Sequence, residues 1–296
     1  MRKKKWKLHF IDLWWRADRN KLMISIFKEA LGNNTIKNFP VVIINTWDRP
    51  INKYLKINIF SFSTADWYHD KMVPDWTYDS WMECKIPEFN KIIKEIEKTG
   101  TLQPTIDKIW RIWNLNTSHS RSILLNLWKK YPQYLDIKDS NSWEYISLPD
   151  LVKTYRYLID VEWNGFSWRL KYLFFSWRAI FVQERPLNEY ALLWAIPYKD
   201  YIPVKNDFSD LIEKIEKYFN SDLINKIWKN WQKFATENLN KEKAYKYILN
   251  EFINLKKVRF NTLKVTFFVV IFFLKGEYEI LSPLILKILG KIKRNR

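Results

Sequence analysis

The chain has 296 residues, 47% of them hydrophobic and 28% charged, the balance of a folded, soluble protein with room for one large domain or two ordinary ones. Its single cysteine, Cys84, excludes an internal disulfide framework and fits a reducing compartment. A formal net charge of +18 points to an anionic partner, whether nucleic acid, an acidic membrane surface or a nucleotide-type substrate. Abundant Ile and Asn beside the Lys offer a second source for that charge, codon bias.

In chain order, MRKKKWKLHF has a basic start but no apolar core of a signal peptide. Strand-like runs follow at 6–12 (WKLHFID), 41–46 (VVIINT), 57–63 (INIFSFS), 108–112 (KIWRI), 134–137 (YLDI), 156–161 (RYLIDV), 179–183 (AIFVQ) and 201–204 (YIPV). Helical spacing fills the gaps at Asn20 to Leu31, Glu88 to Lys98, Ser120 to Lys130 and Asp207 to Phe219, the last with Asp207 as N-cap. Such alternation predicts an α/β protein with mostly parallel sheets. GTLQPT (100–105) is the best boundary between two α/β halves. VTFFVVIFFL (265–274) is too short to span a bilayer. With the basic residues after it, it reads either as a buried closing helix or as a peripheral membrane contact.

The glycine count is odd. The chain has 5 Gly and 17 Trp, where ordinary usage gives roughly 20 glycines. The shortfall matches the tryptophan excess, as if UGA codons meaning glycine had been translated as tryptophan.

The three histidines, His9, His69 and His119, are scattered, no P-loop or Gly-x-Ser-x-Gly elbow occurs, and there is no Asp-x-Asp pair, so no metal site is expected. What remains is VEWNGFSWRLKYL (161–173), a strand end, a tight turn and a helix start, the place where α/β proteins hold phosphate. Arg169 stands at that helix start. Arg121 follows a second turn of the same kind, in KIWRIWNLNTSHSR (108–121). Together they read as a diphosphate cradle; the plainer alternative is two solvated surface arginines.

The run from 157 to 211, with EWNGFSWRLK, YIPV and NDFSDL, resembles the signature of glycosyltransferase family 90. INTWDRP (44–50), FSFSTADWYHDKMVPDWTY (60–78), WRIWNLNTSHSR (110–121) and WQKFATENLNKEKAYKYI (231–248) resemble the same family in the same order. That family includes protein O-glucosyltransferases, capsule-associated xylosyltransferases and enzymes that modify lipopolysaccharide. The resemblance implies a GT-B architecture of two Rossmann-like domains facing a cleft; with the boundary at GTLQPT these are 1–100 on the acceptor side and 101–255 binding the nucleotide sugar, followed by an apolar and basic helical segment, 256–296. It implies a UDP-sugar donor, a glycan or protein hydroxyl as acceptor, no cofactor and no metal.

By the same resemblance Asp48 is the catalytic base, with a turn-capping role before Pro50 as the alternative. Arg121 and Arg169 hold the donor diphosphate. Asn114, Gly165 and Ser167 line the same two turns, and Glu189 receives the ribose hydroxyls. His69 and Asp70 shape the acceptor side or serve the fold. Trp47, Trp113, Trp163, Trp177 and Trp231 fall where relatives tend to carry glycine, whereas Trp76 falls on a tryptophan. The expected function is transfer of glucose or xylose to a surface glycan such as lipopolysaccharide, in the cytoplasm and at the membrane face. The rivals are a basic nucleic-acid-binding protein and an inactive family member.

Overall fold

The computed structural model describes residues 17–32, 42–53, 58–113, 119–139, 146–219 and 221–255. The expected strand at 6–12, Asn114 and the C-terminal segment 256–296 lie outside those residues.

Five strands form the main sheet: β5 (Ile106–Trp113), β6 (Leu135–Asp139), β7 (Tyr155–Asp160), β8 (Ala179–Gln183) and β10 (Ile202–Val204). Their order across the sheet is β10-β8-β7-β5-β6, and every neighbouring pair is parallel. The middle strands read as unbroken apolar runs because both faces are covered, which is the signature of a buried parallel sheet. All five residues of β8 are buried, as are Tyr157, Leu158 and Ile159 of β7. From β5 the chain moves outward to β6, then crosses back to start β7. The strand order therefore reverses between β5 and β7. In open α/β sheets of this order, ligands bind beside the carboxyl ends of the strands flanking that reversal.

The helices explain the coverage. In α2 (Phe89–Gly100), Phe89, Ile92, Ile93 and Ile96 are buried at helical spacing, and Glu88 caps the start by accepting from Lys91 N. α2 packs on α4 (Leu148–Thr154). The carbonyls at the end of α2 are met by Arg178, which donates to Gly100 O and Leu102 O, both at 2.7 Å, and through Nε to Val152 O of α4. Burial pushes the Arg178 guanidinium down to about 10. α3 (His119–Lys130) follows β5, and α6 (Leu211–Tyr218) follows β10. α7 (Asp222–Asn238) and α8 (Lys241–Ile253) complete the described chain.

A second, smaller sheet is also parallel: β1 (Ile43–Ile44), β2 (Ile59–Ser61) and β4 (Lys71–Met72), in the order β1-β2-β4. α1 (Ala17–Leu31) lies near it and packs on α8. A two-residue antiparallel ladder joins the small-sheet region to the large one, β3 (Ser63–Thr64) pairing with β9 (Asn188–Glu189). Aromatic packing continues across that junction, with Phe62 and Trp76 each against Phe166. The chain is thus a mixed α/β protein built on two parallel sheets.

Two helix boundaries differ from the reading of the sequence. α6 begins at Leu211, because Asp207 spends its carboxylate on Ser209 N in a preceding turn and Asp210 takes the N-cap position. The helix after the 161–169 turn, α5, is only Leu170–Leu173. Four residues sum few peptide dipoles, so little partial charge collects at its start.

Candidate functional site

Two turns meet beside the reversal point. The first follows β1. Asn45 closes it, accepting from Trp47 N at 3.0 Å and donating Nδ2 to Arg49 O at 2.7 Å and to Ser61 Oγ at 2.9 Å. Asp70 braces the chain beyond, accepting from Ile51 N, Asn52 N and Ser61 Oγ. This gives Asp70 a supporting role in the fold, while His69 is exposed. The turn carries Asp48 with its side chain 19% exposed and Oδ1 bonded to Arg19 Nη1 at 2.7 Å. Ser63 Oγ donates to Asp48 O at 3.1 Å.

The second turn follows β7. Trp163 N donates to Phe166 O at 3.1 Å, closing it, and Gly165 sits inside at φ +135°. Glycine is required there twice over. Side chains rarely adopt that φ, and a Cβ would stand 2.7 Å from Asp48 O and 2.9 Å from Leu187 Cδ1. Arg49 Nε also donates across the gap to Asn164 O at 3.0 Å. The Asp48 turn and the Gly165 turn are therefore in backbone contact, 117 residues apart in the chain (165 − 48).

Arg121 comes from α3 on the far side of the reversal. It is 2% exposed, donates Nη2 to Glu162 O at 3.2 Å and lies 5.8 Å from the Trp163 ring. Arg169 is half-buried at the start of α5, 5.5 Å from the Trp168 ring. Arg121, Gly165 and Asp48 are thus brought to one region, with Arg169 next in the chain after the Gly165 turn, whereas Asn114 lies outside the described residues.

Beneath the second turn lies a buried ion cluster. Arg185 bonds Asp160 Oδ2 at 2.5 Å and Glu189 Oε1 at 2.8 Å, with all three side chains at most 3% exposed. Ser167 fastens the turn to both acids, Oγ to Asp160 Oδ1 at 2.6 Å and N to Glu189 Oε2 at 2.9 Å. Burial pushes the Glu189 carboxyl up to about 7, opposed by Arg185 and helped by the charge of Asp160. One guanidinium serves two carboxylates, so the cluster favours keeping a proton. Here Glu189 and Ser167 face inward as supports of the turn, with both Glu189 oxygens and the Ser167 hydroxyl already bonded. Next to them Lys171 Nζ pairs with Asp75 at 2.6 Å in a small cavity shared with Tyr78 and Glu189. Burial lowers the Lys171 ammonium, and Asp75 opposes that.

Arg19 and Arg185 escaped the reading of the sequence. Nothing in periodicity marks Arg19, whose partner is 29 positions away. Arg185 had one weak signal, its i,i+4 spacing from Glu189.

The tryptophans at glycine-type positions divide. Trp177 has φ +54°, a left-handed backbone that suits glycine. Trp47 and Trp163 are half-buried and do not share it. Trp231 fills the core at 1% exposure within α7. The side chain of Trp113 lies outside the described residues.

Among the described residues no three His, Cys, Asp or Glu side chains gather into a metal-binding group, and no helix is long and apolar enough to cross a membrane.

Comparison with known proteins adds the family. A family model described as Glycosyl transferase family 90 matches residues 35–265. Protein O-glucosyltransferase 1 of Rattus norvegicus is 26% identical over 224 residues, covering 67% of this chain and 57% of that protein. The same-named human protein is 23% identical over 258 residues, 70% of this chain and 66% of its own. Human protein O-glucosyltransferase 3 is 27% identical over 145 residues, 45% of this chain and 28% of its own. The chain thus spans little more than half the length of the rat relative.

Proposed function

The chain belongs to glycosyl transferase family 90, and from that premise we propose that it moves a sugar from a UDP-sugar donor to an acceptor hydroxyl by one displacement, without a metal. The observation that carries this reading is the backbone contact between the Asp48 turn and the Gly165 turn beside the strand-order reversal. It joins a partly exposed carboxylate to the arginine-bearing edge where an α/β sheet binds its ligand.

In the proposed step Asp48 takes the proton of the acceptor O–H, and the oxygen attacks the anomeric carbon. The bond from that carbon to the β-phosphate oxygen breaks, and UDP leaves with the electron pair. A single displacement inverts the anomeric carbon. Arg121 and Arg169 neutralise the charge that builds on the leaving diphosphate. Because α5 is a single turn, this task falls to the guanidinium groups more than to a helix dipole. Gly165 lets the two turns approach, and Ser167 and Glu189 hold the donor-side turn from below. The family resemblance assigns Asn114 a further phosphate contact.

The architecture we propose is GT-B, with residues 1–100 and 101–255 as facing units and 256–296 as a segment that contacts an anionic membrane face. The names of the relatives favour glucose as the sugar and a protein hydroxyl as the acceptor. The charge of +18 favours an anionic surface glycan such as lipopolysaccharide, met in the cytoplasm. An acceptor panel containing both decides between them.

Calorimetric titration with UDP tests the donor site. Saturable binding by the folded chain, weakened about tenfold or more by Arg169→Ala, is the expected result, since charge-assisted bonds to phosphate contribute roughly 1.5–3 kcal/mol each. No UDP binding, together with salt-sensitive binding to DNA or RNA, would instead favour the basic nucleic-acid reading that the net charge also allows.

A further inference from the structure

The carboxylate of Asp48 does not stand alone, and the group that holds it comes from α1, ahead of the residues 35–265 that match the family. Three successive residues of the first turn of α1 engage the Asp48 turn and its neighbours. Asp18 Oδ2 accepts from Trp81 Nε1 at 3.2 Å, Arg19 Nη1 donates to Asp48 Oδ1 at 2.7 Å and to Thr46 O at 3.2 Å, and Asn20 Oδ1 accepts from Thr46 Oγ1 at 2.7 Å. The Arg19 guanidinium carbon lies 4.0 Å from the Trp76 ring and 5.6 Å from the Trp81 ring. With 5% of its surface exposed, Arg19 is fixed on an aromatic face and aimed at one carboxylate oxygen. Among the described residues, Asp48 Oδ2 accepts no hydrogen bond, although the side chain reaches solvent.

We propose that Arg19 is the positioning residue of Asp48, tying down Oδ1 so that Oδ2 faces the hydroxyl to be deprotonated. The assignment rests on the glycosyl-transfer reading above. It makes α1 part of the working site, because the trigonal carboxylate turns about its own bond unless one oxygen is held. A proton acceptor displaced by about 1 Å loses on the order of a hundredfold in rate. Lysine is a poor replacement, since a single ammonium on a flexible stem lacks the flat guanidinium face that lies 4.0 Å from the Trp76 ring and fixes Nη1 against both Asp48 Oδ1 and Thr46 O.

Water serves as the probe acceptor. UDP release from UDP-glucose is measured for wild type, Arg19→Ala and Arg19→Lys, with UDP affinity taken by calorimetry on the same samples. Attack by water forms free glucose, and its proton goes to Asp48 as the sugar–phosphate bond breaks. The expected result is a fall of about tenfold or more in kcat for both variants, with KM for UDP-glucose and UDP affinity within about twofold of wild type. Millimolar guanidinium ion should restore part of the rate to Arg19→Ala by refilling the space on Trp76, and none to Arg19→Lys.

A folded Arg19→Ala with wild-type kcat overturns the assignment. So does a loss of UDP affinity in step with kcat and no response to guanidinium, which marks a merely structural arginine. If Arg19→Ala does not fold, Arg19→Lys, which keeps the buried charge and stem, carries the test by the same split. A wild-type chain that neither binds UDP nor releases it from UDP-glucose overturns the glycosyl-transfer reading, and the assignment with it.

Discussion

The two turns that meet at the site are held by opposite means. The Asp48 turn stands on hydrogen bonds made with Asn45, on backbone N–H groups accepted by Asp70 and on one arginine, and it leaves a carboxylate partly open to water. The Gly165 turn stands on a fully buried set of charges, Asp160, Arg185 and Glu189, and turns the Ser167 hydroxyl inward onto them. The difference matches the proposed division between a base at Asp48 and a support beneath the donor-side turn. A reactive carboxylate needs an unoccupied oxygen, whereas a turn that must hold its shape under a charged ligand gains from having every polar group bonded.

Removing a supporting side chain should hurt the second turn more than the first. Arg185→Met leaves two buried carboxylates without a cation and should cost about 3–5 kcal/mol. Asn45→Ala in the first turn should cost only about 1–2 kcal/mol. Denaturant unfolding of both variants checks the ranking, and equal losses would erase the contrast.

Gly165→Ala strikes both turns at once, because the new methyl meets Asp48 O at 2.7 Å in a backbone already at φ +135°. We expect roughly 1–3 kcal/mol lost in thermal unfolding, with UDP-glucose turnover falling further than UDP affinity as the Asp48 turn is pushed away.

The buried cluster also carries a pH signature. The Glu189 carboxyl is raised from 4.5 to about 7, so between those values the folded state binds the proton more tightly than the unfolded chain. Its contribution to stability is therefore complete below about 4.5 and is lost as pH rises through about 7. The melting temperature of the wild type should fall over that interval more steeply than that of Glu189→Gln. Parallel curves would mean that Arg185 holds the carboxylate ionised throughout.

The smallest effect concerns residue 177. Trp177→Gly relieves a left-handed backbone costing about 1 kcal/mol and gives up the burial of a half-exposed ring. The net change in stability should stay under about 1 kcal/mol. Trp231→Gly, by contrast, empties a core position and should cost about 3–5 kcal/mol. Similar losses at the two would remove the case for glycine at 177.

Much of the larger sheet was legible because strands buried on both faces are unbroken apolar runs; AIFVQ (179–183) coincides with β8. The smaller sheet was less so. VVIINT reads as six strand residues, yet among the described ones, which begin at Val42, pairing covers Ile43–Ile44, since Asn45 turns the chain with its side chain. Asp207 reads as the cap of α6, but its carboxylate bonds Ser209 N in the turn before, and Asp210, which bonds Lys205 N, takes the N-cap position. In the candidate site, Asp48, Gly165, Arg121 and Arg169 were singled out through their motifs. Arg19 and Asp160 were not, because their roles arise from contacts between distant segments that leave no local pattern. For Glu189 the sequence marks an acid near the turn without revealing that Arg185 and Ser167 bond its two oxygens.

The central claim, a base at Asp48 beside a donor site it does not itself form, is tested most directly by following UDP release from UDP-glucose in wild type and Asp48→Asn while titrating both with UDP. The account predicts UDP affinities within about twofold of each other and a turnover loss of about 10²–10⁴, the usual contribution of a general base. Wild-type turnover in Asp48→Asn would contradict it.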